Sequence, residues 1–381
     1  MATTYDIPSL PLNFDFETKE ILSQLNKASR KLAELKGVAL TIPNENILIS
    51  SLVLQEAKDS SAVENIVTTS DDLYRAELNI KNEIANAAAK EVLNYREAMQ
   101  KGFGMIRKNH LLTLKEIKAI QQVLENNNAG FRTVPGTKLK TSTGEVVYIP
   151  PQSGAAIIEY MDNLEKYINI TDLHNVDPLI KLAIIHHQFE SIHPFYDGNG
   201  RTGRIILILY LVANELLDLP ILYLSRYITH NKGEYYRLIQ DVRDKAPDNY
   251  KEWERWIIFL LKGVEETAID TIHLVKSISA LMSKYKNILR PLFGQQYKHE
   301  LLNNLFYHPY TKIEFMSNDM MVQRKTAAKY LDRIAETGLL HKVKVGRSNY
   351  YINKELMNLF VSHSIPNSDN TINIESVNTY N

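Results

Sequence analysis

The chain contains no cysteine. That absence excludes disulfides, thiolate nucleophiles and cysteine-based zinc sites, and it fits a reducing compartment. An excess of either charge is also lacking, since 44 Lys and Arg face 44 Asp and Glu over 381 residues. No global field therefore draws the protein to nucleic acid or to an anionic membrane, and any such role has to come from a local patch. Long apolar runs are missing too: the longest, Ile205 to Ala213, is far shorter than a bilayer span of roughly 20 residues. The opening residues, Met-Ala-Thr-Thr-Tyr-Asp, have no basic segment leading into an apolar core, which is the pattern of a secretory leader. The expectation is a soluble, cytoplasmic protein, long enough for about two domains.

What is present is concentrated between His193 and Arg204, reading His-Pro-Phe-Tyr-Asp-Gly-Asn-Gly-Arg-Thr-Gly-Arg. A Gly-Asn-Gly turn opening a buried helix offers unpaired backbone N–H groups and the positive end of the helix dipole, a natural seat for phosphate. Arg201 and Arg204 lie three apart, so both guanidinium forks can reach round one anion. Asp197 can hold a divalent cation through oxygen, as Mg²⁺ is commonly shared between protein and phosphate. His193 is the group whose unperturbed pKa lies near neutrality, hence the natural proton acceptor. The combination describes nucleotide chemistry. Gly198-x-Gly200-x-x-Gly203, with Asp218 twenty residues beyond Gly198, also satisfies the dinucleotide-binding fingerprint. That fingerprint needs a strand ending at its first glycine, whereas Leu179 to Glu190 reads as helix and His193-Pro194 precedes the turn.

At these residues the sequence resembles the Fic family, whose motif His-Pro-Phe-x-(Asp/Glu)-Gly-Asn-Gly-Arg-x-x-Arg is matched at every specified position. The resemblance implies transfer of AMP from ATP to a Ser, Thr or Tyr hydroxyl of a target protein, the chain itself included, with release of pyrophosphate. It further implies His193 as the base, Asp197 as the Mg²⁺ ligand, and Gly198, Asn199, Gly200, Arg201, Thr202, Gly203 and Arg204 as the nucleotide-binding turn, the two arginines clamping the outer phosphates. A second pattern, (Ser/Thr)-x-x-x-Glu-(Gly/Asn), is met by Ser60, Glu64 and Asn65. Ser60 and Glu64 share one helix face. In the family this segment is an inhibitory helix whose glutamate takes the second arginine, here Arg204, from the ATP γ-phosphate; as a solvated helix residue Glu64 would mean nothing.

In chain order, Pro8 and Pro11 mark an extended lead-in, and residues 17 to 36 carry apolar positions at helical spacing up to Gly37. The next helix spans about Asn46 to Asn65. Residues 71 to 101 read as helix ending near Gly102 and Gly104, and Thr113 with Glu116 forms a capping box for a helix to Asn127. Between Phe131 and Pro151 the turn signal Thr-Ser-Thr-Gly (141 to 144) precedes the alternating Glu145 to Ile149, which predicts a β-hairpin. In Fic proteins such a hairpin is a flap along which target backbone adds as a strand, which would make Val147, Tyr148 and Ile149 docking residues; an ordinary surface hairpin is the alternative. Asp177-Pro178 caps the helix that delivers the motif. His186 and His187 on it read as helix-face or core histidines and not as zinc ligands. Ile205 to Val212 is apolar on every side, the mark of a central buried helix. By position Tyr235 and Tyr236 resemble the family segment flanking the nucleoside, where an aromatic face could stack on adenine, although tyrosines at helical spacing also serve as core. Trp253, Trp256 and Phe259 read as packing residues.

Residues 262 to 290 form a helical connector, and Arg290-Pro291-Leu292-Phe293-Gly294 marks a boundary. Helices at Gln296 to Tyr307 and Lys325 to Thr337, then a hairpin from His341 to Asn353 turning at Gly346, resemble a winged helix-turn-helix. Between Asp319 and Asn349 seven Lys or Arg face three acidic residues, suggestive of phosphate contact and of DNA as a partner. The fold class expected is mainly α: a Fic-type helical domain with a β-hairpin flap, plus a C-terminal winged helix-turn-helix domain. Its parts are an N-terminal helical region (1–105) with an inhibitory helix at about 50–66, a catalytic core (106–290), a winged-helix-like domain (291–361) and a disordered tail (362–381). ATP and Mg²⁺ are the expected cofactors, and a homodimer is common among similar proteins. Phosphorylation, removal of AMP, DNA-binding regulation and nucleotide binding without turnover stay open as alternatives.

Overall fold

The computed structural model describes residues 5–77, 87–141, 143–345 and 348–362. It is mainly helical, with one two-stranded and one three-stranded antiparallel sheet. The described residues fall into two compact units, one drawn from Met1–Gly37, Leu52–Thr68 and Ala87–Thr271, the other from Val38–Ser51, Thr69–Asn86 and Ile272–Asn381. The elements run α1 (Lys19–Ala39), α2 (Glu45–Val63), α3 (Ser70–Glu77), α4 (Ala87–Asn109), α5 (Leu114–Glu125), β1 (Leu139–Lys140), β2 (Val146–Tyr148), α6 (Gly154–Asn169), α7 (Pro178–Ile192), α8 (Asn199–Ala213), α9 (Leu224–His230), α10 (Lys232–Asp244) and α11 (Tyr250–Phe293). They continue with α12 (His299–Tyr307), β3 (Tyr310–Lys312), α13 (Ile313–Asp319), α14 (Arg324–Glu336), β4 (His341–Val345), β5 (Ser348–Ile352) and α15 (Lys354–Ser362).

The first unit is built around α8. Ile205 through Leu211 are all essentially inaccessible to solvent, as an all-round apolar helix requires. Burying each such side chain contributes about 1.5–3 kcal/mol. α8 packs on α4, α5, α7 and α9. Local signals place its neighbours. The Asp177 carboxylate accepts from the Leu179 amide at 2.8 Å with Pro178 in the first turn of α7. Thr113 and Glu116 close the expected capping box on α5. The helix read as ending near Gly102 continues to Asn109. Gly102 instead lies inside it, where a side chain would meet Leu209 at 2.5 Å and Ile120 at 3.0 Å. Its glycine serves close packing and not termination. Part of the helix expected over 71 to 101 lies outside the described residues.

β1 and β2 pair antiparallel, Leu139 opposite Tyr148 and Lys140 opposite Val146, with an irregularity between Leu139 and Lys140. Ser142, in the expected turn, lies outside the described residues.

The second unit carries α12, β3, α13, α14, β4, β5 and α15, with the sheet in the order β3-β5-β4. Helix, strand, two helices and a hairpin is an order compatible with a winged helix-turn-helix. β3 and α13 occupy the stretch between the two helices expected from sequence, where no element was foreseen. Three residues of strand and seven of helix are too short to show a period. Tyr285 donates from its buried hydroxyl to the Leu339 carbonyl at 2.9 Å and to Asn353 Oδ1 at 2.7 Å. Gly346 and the tail from 363 onward lie outside the described residues.

Candidate active site

α7 ends at Ile192, and His193 adopts the left-handed conformation (φ +50°, ψ +59°), its amide donating to the Phe189 carbonyl at 2.9 Å. The chain then turns through Asp197 and re-enters helix at Asn199, with Gly198 as N-cap at φ +74°, a conformation glycine adopts at little cost. A helix, not a strand, precedes the glycine turn, which removes the dinucleotide-binding alternative. Asn199 closes the loop on itself: its Oδ1 accepts from the Phe195 amide and its Nδ2 donates to the Phe195 carbonyl, both at 2.8 Å. Asn199, Thr202 and Gly203 face inward. Thr202 is fully buried, and a methyl group on Gly203 would lie 2.7 Å from Glu190 Oε1. Gly198, Gly200, Arg201 and Arg204 complete the turn and the first residues of α8.

Both arginines are already engaged. Arg204, 1% exposed, donates from Nε to Ser60 Oγ at 2.8 Å, and from Nη2 to the Ser60 carbonyl and to Glu64 Oε1, each at 2.9 Å. A Cβ on Gly200 would collide with that same Glu64 oxygen, so the Glu64 carboxylate lies over the glycine turn. Ser60 lies in α2 and Glu64 in the turn that closes it. Asn65 follows at φ +63°, which gives a physical reason for Gly or Asn there, and its Oδ1 accepts from Lys232 Nζ at 2.8 Å. Arg201 donates to Glu91 at 2.8 Å and to Glu125 at 2.9 Å. Glu125 also crowds Gly198. Burial raises its pKa, Arg201 opposes that, and Asp197 and Glu91 add to it.

His193 is half-buried. Burial pushes its pKa down to about 3; the cations Arg243 and Arg132 add to this and the Glu190 carbonyl opposes it. The ring is therefore neutral over the physiological range. Glu190, one turn back on α7, is pushed up to about 7 by burial, against Arg204 and with Glu64. Arg132, Arg243, Glu190, Glu91 and Glu125 are site residues that the sequence reading misses. Glu190 stands at i−3 from His193 and was within reach of helical spacing; isolated charges on other elements carry no such signal.

Asp197 is exposed, with Oδ1 accepting from the Gly198 amide at 2.7 Å. A single accessible carboxylate beside a helix N-terminus fits Mg²⁺, which keeps waters and shares its shell with phosphate. Among the described residues no cluster of three or more His, Asp or Glu is arranged as a complete metal cage. Tyr235 is 1% exposed, with its hydroxyl 2.8 Å from His186 Nε2 and its ring against Trp256. That placement is core, and it corrects the expectation of an adenine-stacking face at Tyr235. Tyr236, 45% exposed, keeps an accessible ring. His186 and His187 are fully buried, His187 Nε2 lying 3.1 Å from the Ile239 carbonyl. In the hairpin, Val147 and Ile149 are half-buried. Tyr148 is fully buried and donates to the Ser191 carbonyl at 2.9 Å. Its side chain anchors the strand and is unavailable to a docked chain.

The architecture is that of Fic proteins. A Fic family protein from Desulfovibrio desulfuricans superposes with a TM-score of 0.56 over 90% of this chain and 97% of its own, at 16% identity. Three family descriptions match in order: Fic/DOC family N-terminal over residues 22–104, Fic/DOC family over 111–211, and the C-terminal domain of SoFic-like protein adenylyltransferases over 281–356. Together they span more than half of the chain, and the chain belongs to the Fic/DOC family. Among curated relatives, protein adenylyltransferase fic-1 of Caenorhabditis elegans is 30% identical over 105 residues, 27% of this chain and 19% of its own. A probable protein adenylyltransferase of Aquifex aeolicus is 39% identical over 82 residues, 22% and 23% of the respective chains. The matched stretch thus covers about a fifth of these relatives' own length.

Proposed function

We propose that the protein is an adenylyltransferase that moves AMP from ATP to a hydroxyl of a target protein, and that its own α2 segment inhibits it. The observation that carries this reading is the Glu64 carboxylate seated on Arg204 and over Gly200, where a phosphate could otherwise be held by the arginine fork and the helix N-terminus. The names of the relatives support the same class of activity. The reading takes residues 1–105 as an N-terminal helical region with the inhibitory helix at about 50–66, 106–290 as the catalytic core and 291–361 as a winged-helix-like domain.

The neutral imidazole of His193 accepts the proton of the target hydroxyl as that oxygen attacks the α-phosphorus of ATP. The bond from this phosphorus to the bridging oxygen of pyrophosphate breaks, and pyrophosphate departs in line. Charge on the nucleotide beside His193 favours the imidazolium, so the ring becomes a better base once the substrate is seated. The turn from Gly198 to Gly200 presents the helix N-terminal amides of Asn199 and Gly200 to the phosphates, the Gly198 amide being held by Asp197, and Arg201 and Arg204 clamp the outer ones after exchanging Glu91, Glu125 and Glu64 for phosphate oxygens. Asp197 would hold Mg²⁺, which when bound supplies charge neutralisation at the phosphates. Tyr236 offers a ring to the nucleoside, and the hairpin offers backbone at Val147 and Ile149 to a target strand.

The test is the intact mass of Glu64→Gly protein after incubation with MgATP, beside Glu64→Gly/His193→Ala. A gain of one AMP that requires His193 is expected. A gain of phosphate alone would replace the reading with phosphorylation, and no gain in either protein with a panel of candidate targets would overturn it. A second reading, DNA binding through the C-terminal module, draws on exposed Arg324, Lys325 and Lys329 on α14. Two further cations are spent internally, Lys342 on Asp332 and Arg333 on the Leu292 carbonyl. A salt-dependent mobility shift with duplex DNA that survives His193→Ala checks it.

A further inference from the structure

The last carbonyls of a helix have no intrahelical donor and need outside partners. At the end of α7 they find them on the two flanks of the hairpin. The Ser191 carbonyl accepts from the Tyr148 hydroxyl at 2.9 Å, the Ile192 carbonyl from Arg132 Nη2 at 3.3 Å, the His193 carbonyl from Arg132 Nε at 2.7 Å, and the Pro194 carbonyl from the Arg132 amide at 2.8 Å. One residue, fully buried, serves three consecutive carbonyls of the segment that presents the base. The next two amides, of Thr133 and Val134, donate to the Tyr196 hydroxyl at 3.0 and 3.3 Å.

We propose that Arg132 is a positioning residue for His193, fixing the left-handed backbone that aims the imidazole and joining the base to the root of the hairpin. Its part in catalysis rests on the reading above; its hold on His193 does not. A non-glycine residue at φ +50° persists where its surroundings over-determine it, and the planar fork of arginine can serve two adjacent carbonyls at once, which a lysine ammonium cannot do with the same geometry. The guanidinium is also a fixed positive charge beside the ring. Arg243 of α10 is a second, donating from Nε to Ser191 Oγ at 3.1 Å with its guanidinium 4.0 Å over the Tyr148 ring. Against these two cations stands Glu190 of α7, whose carbonyl favours ring protonation. Arg132 Nη1 is buried with no hydrogen-bond partner among the described residues, so these carbonyls leave one nitrogen of the fork unused.

The experiment compares Arg132→Met and Arg132→Lys in the Glu64→Gly background, reading kcat and KM for ATP, the pH dependence of kcat/KM, and the His193 imidazole titration by NMR. Arg132→Met should lower kcat at least about tenfold with KM for ATP within about twofold, and raise the His193 titration by about one unit or more through loss of the charge. Arg132→Lys should keep the titration close to the parent, because the charge remains, yet still lose kcat. If the variants melt lower but, per folded molecule, keep parental kcat and titration, Arg132 is merely structural and the proposal fails. Should Arg132→Met not fold, Arg132→Lys decides alone: reduced kcat with an unmoved titration supports the proposal, and parental kcat overturns it. If the Glu64→Gly parent itself transfers no AMP, the functional reading has failed, whereas an unmoved His193 titration in Arg132→Met would sink the hold of Arg132 on His193.

Discussion

At the scale of single residues, the contact between Glu64 and Arg204 combines charge and shape, and substitution can separate them. Glu64→Gln keeps the shape and removes the charge, leaving a neutral amide over Gly200; Glu64→Gly removes both. ATP affinity by calorimetry should therefore rise in the order parent, Glu64→Gln, Glu64→Gly, and equal affinity for the two variants would mean that the carboxylate's bulk contributes nothing. His193 supplies a second expectation. Its pKa is depressed, so the basic form persists well below the ordinary 6.5. Because kcat/KM reports the free enzyme, the acidic limb of its pH profile in Glu64→Gly protein should lie below 6.5, and a limb at 6.5 or above would contradict the neutral, cation-flanked ring. The motif residues were legible in the sequence because four chemistries crowd into twelve positions. Which of them turn inward was not: Asn199 spends its amide on Phe195, and Tyr235 and Tyr236 are adjacent letters whose burial differs completely. Such differences are set by the elements packed against a residue.

Among the elements, α4 offers a paired test of when a helical glycine matters. Gly104 is exposed with open space where a side chain would go, whereas Gly102 faces Leu209 at 2.5 Å. Gly104→Ala should stabilise by about 0.5–1 kcal/mol through helix propensity. Gly102→Ala gains the same propensity but must displace Leu209 and Ile120 in a filled core, so a net loss of about 1–2 kcal/mol is expected. Opposite signs in urea unfolding check the pair, and a stabilised Gly102→Ala would show that α8 can yield there. The sequence presents both glycines as helix terminators, since spacing does not encode what lies across a contact. The α5 capping box and the Asp177-Pro178 start were readable because they are short-range and chemically specific. α2 shows the opposite case. Its Glu56 carboxyl is buried between Tyr95, 3.0 Å from its hydroxyl, and Ser225, whose amide donates at 3.0 Å. No local pattern marks this link, yet it holds the segment that carries Ser60 and Glu64.

For the molecule as a whole, buried titratable groups set how stability responds to pH. Burial raises Glu56 from 4.5 to about 8, with Ser225 and Tyr95 opposing, and Glu190 to about 7. These folded-state pKa values exceed the unfolded ones, so their contribution is fully present below 4.5 and lost as pH rises toward 8. Burial lowers His186 to about 3 and His187 well below 6.5; their contribution is present above 6.5 and lost as pH falls. The site-bearing unit should therefore gain about 2 kcal/mol from pH 8 to about 6.5, change little down to about 4.5, and weaken below that. Urea midpoints across this range test it, and a midpoint higher at pH 8 than at 6.5 would refute it. The long apolar α8 was visible from its unbroken apolar run, whereas α6 and α9, which no cap or run announced, were not foreseen. The C-terminal unit was visible only as two helices and a hairpin, because β3 and α13 are shorter than any period that could announce them.

Glu64 and Arg204 lie 140 positions apart in one chain, and that fact sets a number that neither residue carries alone. The fold delivers the carboxylate to the guanidinium at an effective concentration, which for a segment tethered nearby is in the millimolar range or above. Dilution cannot lower it, so occupancy of Arg204 by Glu64 is the same in one copy per cell as in a concentrated solution. Only a competitor present at comparable concentration, or a change that withdraws the α2 segment, can shift the balance. On the proposed reading, the apparent affinity for nucleotide falls in proportion to the fraction of molecules in which Arg204 is free of Glu64, a fraction that does not depend on the abundance of the chain.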